Sequence, residues 1–262
     1  MNSIAEAAKM GLSLDDVLII DGHCHMGYWH NFNISCNNAE GMLVSMDTLG
    51  IDKAFITAHS SIGPNYRYGN DVVIDAVVRY PQRFIGYATV NPNYEKDMRA
   101  ELDRCFAVPG IKGIKLHPAS HGCSVDYKSY HIAYRYAQQK QCPVLMHIWG
   151  CGDVAIVKSL AALYPGVKFI MGHAGGDIRA MEAAIDVVNR HDNAYLDLAI
   201  SRTYEGNVEW FVSEVGSKKV LYASDMPFLD PRPAIGRVAL ADISDEQKRD
   251  IFGLNLKRIL AL

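Results

Sequence analysis

The stretch VLIIDGHCH, residues 17–25, is a short apolar run that ends in two histidines with one residue between them. Its apolar and β-branched residues predict a buried strand over Val17–Asp21, and polar residues follow at the carboxyl end of that strand. Residues two apart in an extended chain point to the same side, so the imidazoles of His23 and His25 project together. The stretch predicts a first core strand with candidate functional residues at its carboxyl end.

Seven further runs of the same kind recur along the chain, and the starts of consecutive runs are 25 to 36 residues apart. The seven runs are Lys53–His59, Arg83–Val90, Gly113–His117, Pro143–Ile148, Lys168–His173, Ala194–Ala199 and Lys219–Asp225. This spacing fits a strand and a returning helix, and it is too wide for hairpins. The sequence therefore predicts a parallel sheet of eight strands.

Segments with helical spacing of apolar residues lie between these runs. They are Asn38–Leu49, a helix capped by Asn70 and ended by Pro81, Tyr94–Phe106, Tyr127–Gln139, Val154–Leu163, Ile178–Arg190 and Val208–Val215. Eight alternations of strand and helix in about 250 residues are typical of an α/β fold, the (β/α)8 TIM barrel. We predict a single barrel domain over residues 1–262, with closing helices in Arg232–Leu262. An open doubly wound sheet is the alternative, but Asp21–Gly27 lacks its glycine-rich dinucleotide turn.

The composition indicates a globular protein with a small-molecule partner. Of the 262 residues, 49% are hydrophobic and 21% are charged, which excludes a disordered or fibrous chain. The 26 Lys and Arg residues are interspersed with 29 Asp and Glu residues, and the formal net charge is −3. Because there is no basic stripe, we expect neither nucleic acid nor a membrane surface as a partner.

The cysteines and the amino terminus indicate the compartment. The six cysteines form no CxxC pair, and residues 1–14 lack the apolar stretch of a secretion signal. No apolar run approaches the ~18 residues of a membrane span. We therefore predict reduced thiols in a cytoplasmic protein. Apolar residues on the final helices make a homodimer possible.

Polar residues end most of the predicted strands. An imidazole or a carboxylate closes six of the eight, at His23 and His25, His59, His117, His147, His173 and Asp225. Barrel enzymes place their chemistry at these carboxyl ends, and a closed barrel sets its eighth strand beside its first. His147 and Asp225 can therefore join the paired histidines of the first strand, giving three nitrogens, one oxygen and an open position. That donor set suits a divalent metal ion at a catalytic site.

Six motifs carry a resemblance to a known family. They are DGHCH at 21–25, GIKLHP at 113–118, LMHIWG at 145–150, MGHAGG at 171–176, YASDMPF at 222–228 and GLNLKRIL at 253–260. Over nearly its whole length the chain resembles the amidohydrolase superfamily, in the branch that contains amino-carboxymuconate-semialdehyde decarboxylase and related TIM-barrel hydrolases. The resemblance implies metal ligands at His23, His25, His147 and Asp225. It also implies that His173 is a catalytic acid or base.

This ligand set predicts a metal-dependent hydrolase. One divalent ion, zinc or else manganese, iron or cobalt, would activate a water for attack on an amide, lactone or ester of a small polar molecule. Asp225 would accept the proton of that water and pass it to the leaving group. The alternative is a non-oxidative decarboxylase of an unsaturated or aromatic acid, because the same branch uses the same ligands for both reactions. An inactive metal-binding barrel is a third hypothesis.

The residues predicted to bind substrate are less sharply defined. His117 is predicted to contact substrate, and Lys115, two residues earlier on the same strand, to support the site. The other candidates are Tyr28, Trp149 and a carboxylate-binding arginine at Arg67 or Arg202, in the loops after the strands. Binuclear members of the superfamily carry a carboxylated lysine in the fourth strand, so a second metal at Lys115 stays open. A Cys151 nucleophile is not expected, because no histidine is placed to activate it.

Overall fold

The computed structural model describes residues 3–31, 33–199 and 204–262. Its eight strands are parallel and follow one another around the sheet in chain order. They are β1 Ile20–Met26, β2 Lys53–Ala58, β3 Phe84–Thr89, β4 Ile111–Leu116, β5 Pro143–His147, β6 Lys168–Gly172, β7 Ala194–Asp197 and β8 Val220–Leu221. The predicted (β/α)8 TIM barrel is confirmed.

Backbone hydrogen bonds join the last strand region to the first. The N–H of Asp225 donates to the carbonyl oxygen of His23 at 2.9 Å, and the N–H of His25 donates to that of Met226 at 2.8 Å. The sheet therefore closes on itself. This closure brings Asp225 beside the paired histidines, as the sequence predicted.

The bounds predicted for the first and last strands are wrong. β1 begins and ends later than Val17–Asp21, so both of its histidines lie inside the strand, and β8 is much shorter than Lys219–Asp225. Between Asp21 and Cys24, β1 carries one more residue than β2, which is a β-bulge. On its other side this bulged segment meets the residues after β8 through separate hydrogen bonds instead of a regular ladder.

The part of the chain that the structure describes contains thirteen helices, of which the two short ones after β2 and β4 lie at the mouth of the barrel. They are α1 Ile4–Lys9, α2 Ala39–Leu49, α3 His59–Ile62, α4 Tyr66–Arg79, α5 Glu95–Phe106, α6 Pro118–His121, α7 Tyr130–Lys140, α8 Cys151–Leu163, α9 Ile178–Arg190, α10 Asn207–Val215, α11 Pro231–Ala239, α12 Asp245–Arg249 and α13 Asn255–Leu260. Short 3-10 turns lie at Pro92–Tyr94, His173–Gly175 and Ser217–Lys219, and a π-helical turn at Asp250–Leu254. The predicted closing helices are thus present. No helix in the described ranges has the length and apolar character needed to cross a bilayer.

The helix predicted to begin at an Asn70 cap begins earlier, at Tyr66. Asn70 lies inside α4, where its buried amide donates to the carbonyl oxygen of Thr89 and accepts from the N–H of Thr89, both at 2.9 Å. The side chain therefore ties α4 to the end of β3 instead of capping the helix. Arg67, expected in a loop, is also in α4.

Apolar side chains fill the barrel below the site. Phe55 of β2 and Tyr87 of β3 stack with their ring centroids 3.4 Å apart, and the Tyr87 hydroxyl donates to the carbonyl oxygen of Gly22 at 2.9 Å. Leu256 and Leu260 of α13 pack against the same cluster. The interior of the barrel is thus filled with side chains. The barrel is open at the carboxyl end of its strands.

Candidate active site

Three donor atoms converge at the junction of β1 with the segment after β8. The Nε2 atoms of His23 and His25 lie 3.2 Å apart. Oδ1 of Asp225 lies 3.2 Å from Nε2 of His25 and 3.8 Å from Nε2 of His23. All three side chains are buried, and together they form a group that can hold a metal ion. We call this group the donor triplet.

Asp197, at the end of β7, orients the first member of the triplet. Its Oδ2 accepts the Nδ1–H of His23 at 2.9 Å, while its Oδ1 accepts the backbone N–H of His173 at 2.7 Å and that of Ala199 at 3.2 Å. Asp197 also lies close enough to His23 and His173 to form a second group that could hold a metal ion, but both of its oxygens are engaged in these hydrogen bonds. Its hydrogen bond fixes the His23 proton on Nδ1 and directs the Nε2 lone pair at the triplet.

Reasoning from the sequence missed Asp197. The residue lies inside the predicted strand Ala194–Ala199, which closes with alanine and was not counted among the strands with polar ends. The signal was present, since Asp197 is the one carboxylate in the run AYLDLA and stands at the level of the other strand ends.

The Asp197→Asn variant is expected to fold and to bind metal 10- to 100-fold more weakly, which is the usual effect of losing such an orienting carboxylate. An amide can present its N–H₂ to His23 and so favours the wrong tautomer. Competition with a fluorescent chelator measures the affinity. Unchanged affinity would show that Asp197 does not set the orientation of His23.

The protonation states at the triplet suit a metal ion. Burial lowers the pKa of His25 well below its usual value, and burial together with nearby Lys115 lowers that of His23. Burial alone would raise the pKa of Asp225, but its hydrogen-bonding contact with His25 holds it well below the usual range. Neutral imidazoles and an ionised carboxylate are the forms that ligate metals.

Oδ1 of Asp225 gives a direct test of whether a cation fits. This buried oxygen has no hydrogen-bond partner among the described residues, although Nε2 of His25 is close. An ionised carboxylate oxygen left so is costly to bury. A cation held by the triplet satisfies the oxygen and both nitrogens, so the residues present fit a divalent metal.

His147 and His173 form a second pair beside the triplet. Nδ1 of His173 donates to the carbonyl oxygen of Ala199, which can only accept. Nε2 of His173 is then an acceptor, and Nδ1 of His147 donates to it at 3.0 Å. This arrangement leaves Nε2 of His147 unprotonated, as a ligand must be. Among the described residues, no group of three or more side chains placed to hold a metal ion includes His147. Its role as a fourth ligand therefore stays a prediction.

Lys115 is fully buried with its Nζ 2.7 Å from Nε2 of His23. No carboxylate of the described residues lies within ion-pair distance of Nζ, and burial lowers the pKa of Lys115 to about 8. The residue lies beside His23 of the triplet, and its supporting role stays a prediction. Whether a second metal binds there is untested.

The Lys115→Met variant is expected to stabilise metal-free protein by about 2 kcal/mol at pH 7, since methionine fills similar space without charge. The shift of the pKa to about 8 corresponds to a cost of about 3 kcal/mol in the native state, and loss of the His23 hydrogen bond offsets about 1 kcal/mol. A lysine with a depressed native pKa loses stability as pH falls through that pKa. The stability that the variant gains over wild type should therefore be smaller by about 1 kcal/mol at pH 9 than at pH 7.

Urea unfolding of chelator-treated protein at both pH values measures this difference. Lys112→Met is the matched control, because Lys112 lies on the same strand but is exposed. It should change stability by less than about 0.5 kcal/mol, without pH dependence. A Lys115→Met protein that is less stable than wild type at pH 7 would contradict the buried-charge account. Loss of metal from the variant would identify Lys115 as a ligand.

A cavity of about 190 Å³ opens above these residues. It is lined by His25, Trp29, His59, Ile62, His117, Ser120, His147, His173, Asp225 and Phe228. The structure thus brings His117 into the cavity together with four residues of the predicted metal and catalytic set. The other five lining residues, Trp29, His59, Ile62, Ser120 and Phe228, had no predicted role, although His59 closes a predicted strand.

The amidohydrolase family model matches residues 20–262 of the chain. The chain belongs to the amidohydrolase family. This confirms the resemblance that the six motifs carry.

Two relatives of this amidohydrolase are decarboxylases. The gamma-resorcylate decarboxylase of Rhodococcus jostii (strain RHA1) is 24% identical over 255 residues, covering 75% of this chain and 76% of that protein. The 2-amino-3-carboxymuconate-6-semialdehyde decarboxylase of Dictyostelium discoideum is 22% identical over 240 residues, covering 75% of this chain and 66% of that protein, just under two thirds. These names favour the decarboxylase alternative over the predicted hydrolase.

A solved structure shares the fold. The 5-carboxyvanillate decarboxylase from Novosphingobium aromaticivorans DSM 12444, complexed with manganese and 4-hydroxy-3-methoxy-5-nitrobenzoic acid, matches with a TM-score of 0.76 and 16% identity. The match covers 95% of this chain and 97% of that one. At this identity the likeness shows the fold alone.

Three predicted substrate-binding residues of this amidohydrolase lie outside the cavity lining. Tyr28 is 77% exposed and lines a separate groove beside α2 and α4. Arg67 has a 71% exposed side chain and pairs with Glu101 at 3.7 Å. Trp149 is 39% exposed and packs against His147, with ring centroids 6.2 Å apart. Arg202 lies outside the described residues.

The motif glycines of the family allow close approach at the site. A Cβ on Gly172 would meet the carbonyl oxygen of Met146 at 2.6 Å, so this glycine lets β6 lie tightly against β5. Gly176 has a φ of +88°, and a Cβ there would meet the Trp149 ring at 2.5 Å. These close approaches leave room for the Trp149 ring beside His173, with the ring centroids 5.8 Å apart.

Two site residues have left-handed backbones. His173 has a φ of +62° and Asp225 a φ of +64°. This conformation costs a residue with a side chain about 1–2 kcal/mol, and such strain concentrates at functional sites. In this protein it aims both side chains into the barrel mouth.

Proposed function

We propose that this amidohydrolase is a metal-dependent decarboxylase that removes CO2 from a small unsaturated or aromatic acid. The observation that carries the proposal is the donor triplet beside the imidazole of His173, in a chain whose two curated relatives named above are decarboxylases. The hydrolase prediction uses the same residues, so the two reactions are separated by experiment below.

The metal is proposed to be one divalent ion held by His23, His25 and Asp225, with His147 as the fourth ligand. When bound, it supplies a positive charge that orients the acid and stabilises negative charge as CO2 departs. Two or three nitrogens with one oxygen suit zinc, and manganese, iron or cobalt can take the same donors.

The cavity suits a molecule with one ring. A cavity of about 150 Å³ lined by apolar side chains accommodates benzene, and this one measures about 190 Å³. A single ring with small substituents therefore fits. The rings of Trp29 and Phe228 meet edge to face, with centroids 5.8 Å apart, and present flat apolar walls to such a ligand.

Decarboxylation requires a proton at the carbon that loses CO2. The bond between that carbon and the carboxylate breaks, its electron pair stays on the carbon, and that pair takes the proton as CO2 leaves. His173 lines the cavity, and its Nδ1–H is engaged by Ala199. Nε2 is therefore the atom of His173 that would hold and deliver the proton.

The test supplies metal-loaded protein with a panel of carboxyl-¹³C benzoic and unsaturated acids, and with a panel of esters, lactones and amides. We expect ¹³CO2 from at least one acid, and in D2O one deuterium at the carbon that carried the carboxylate. Cleavage of an ester, lactone or amide without any CO2 release would establish the hydrolase instead. Metal-loaded protein inert to both panels would indicate the inactive barrel.

A further inference from the structure

The hydrogen bond of His59, a residue of the cavity lining, fixes which of its ring nitrogens is left as an acceptor. Nδ1 lies 3.0 Å from the carbonyl oxygen of Gly27, and because a carbonyl only accepts, Nδ1 carries the proton. Nε2 of the neutral ring then presents a lone pair. The ring stacks on His25 with centroids 4.7 Å apart and lines the cavity. Within the described ranges, no hydrogen bond to His59 Nε2 is formed.

His117 has the opposite arrangement. The backbone N–H of Ser120 donates to its Nδ1 at 3.3 Å, so the proton of the neutral ring is on Nε2. The ring stacks on His147 with centroids 3.9 Å apart and lines the same cavity. His117 therefore presents an N–H donor, whereas His59 presents an acceptor.

We propose that His59 is a specificity-determining residue, which selects a substrate carrying a hydroxyl group by accepting a hydrogen bond from it. His117 donates to an oxygen of the same molecule. This inference rests on the proposed function and narrows its substrate class to hydroxylated acids of one ring. Neither residue is assigned a proton transfer.

The surroundings of His59 explain why the hydroxyl matters. Its ring lies among apolar surfaces, with the Trp29 centroid at 5.2 Å and the Phe228 centroid at 5.6 Å. A ligand without a hydroxyl would displace water from Nε2 and leave it without a donor. Sites that hydrogen-bond a substrate group reject the analogue lacking it for this reason.

Calorimetric titration tests the inference without turnover. The probes are benzoate, the three monohydroxybenzoates and their methoxy counterparts, titrated into metal-loaded protein. We expect the best hydroxybenzoate to bind about tenfold more tightly than benzoate, and its methoxy counterpart to lose that advantage. In His59→Phe the preference should fall below about twofold, and His59→Gln, which keeps an acceptor, should retain part of it.

Two further variants separate this role from other causes. His117→Phe should weaken all the acids by a similar factor and keep the hydroxyl preference. His191→Gln, which follows α9 at the other end of the barrel, should change nothing. A preference that persists in His59→Phe arises at the metal and would overturn the inference.

Binding of benzoate and hydroxybenzoates with equal affinity by wild-type protein would also overturn it, while the proposed decarboxylase would stand if CO2 release is observed. Absence of CO2 from every acid, together with hydrolysis of an ester or lactone, would instead remove the proposed function. The two failures are therefore distinguishable.

Discussion

The His25→Gln variant is expected to contain less than about 0.1 metal ion per chain and to lose at least about 10⁴-fold in kcat/KM, or roughly 5 kcal/mol of transition-state stabilisation. Nε2 of His25 lies 3.2 Å from Oδ1 of Asp225, the buried oxygen that has no hydrogen-bond partner among the described residues. Without this nitrogen the triplet becomes a pair. An amide is a poor metal ligand, and a four-donor site that loses one nitrogen holds a divalent ion much more weakly.

Metal content after dialysis, measured by mass spectrometry, is the primary measurement. Added metal should raise the thermal midpoint of wild-type protein but not of the variant, because only a folded state with an intact site gains stability from binding. His191→Gln is the control for losing a histidine elsewhere. A His25→Gln protein that keeps one tightly bound ion would remove His25 from the ligand set.

The fold was predictable because its signal is repeated. Each of eight apolar runs recurs with room for a returning helix, and one misplaced boundary does not disturb the count. Boundaries failed where tertiary contacts decide them. The sequence at Asn70 has the pattern of a helix cap, but its amide bonds to Thr89 of a neighbouring strand. The bulge between Asp21 and Cys24 has no local signature either.

The candidate site was predictable where it lies on strands. His23 and His25 share a face because of strand periodicity, and barrel closure places Asp225 beside them. Loop residues carry no such constraint, and of the aromatic residues after β1 it is Trp29, not Tyr28, that lines the cavity. The sequence also does not show which ring nitrogen of a histidine donates a hydrogen bond and which accepts one. The donor at His117 and the acceptor at His59 depend on the carbonyl or N–H that each Nδ1 meets.

Hydrolysis and decarboxylation could not be separated from the sequence because they share the donor triplet and His173. Short loops and the lack of an unambiguous arginine clamp in the sequence favour hydrolysis, because decarboxylation of an acid is helped by such a clamp. In the described residues that line the cavity, oxygen atoms of a substrate can meet the N–H of His117 instead of a guanidinium. The lack of a guanidinium among the described cavity residues is therefore weak evidence against an acid substrate.

The His173→Asn variant is expected to keep its metal and to lose about 10³-fold in kcat. Asparagine tolerates the left-handed backbone that His173 adopts, with its φ of +62°, better than most residues. Its amide N–H₂ reaches roughly where Nδ1 lies and can still donate to Ala199. The substitution therefore removes little except Nε2, the atom proposed to carry the proton.

The division of the effect between kcat and KM identifies the role of Nε2. A proton carrier that does not hold the substrate leaves KM and the affinity for benzoate nearly unchanged while kcat falls. His59→Phe should show the reverse pattern, with affinity lost first. If His173→Asn instead loses metal, then Nε2 of His173 is a ligand. The 3.0 Å contact between Nε2 of His173 and Nδ1 of His147 would then join two imidazoles that bind the same ion.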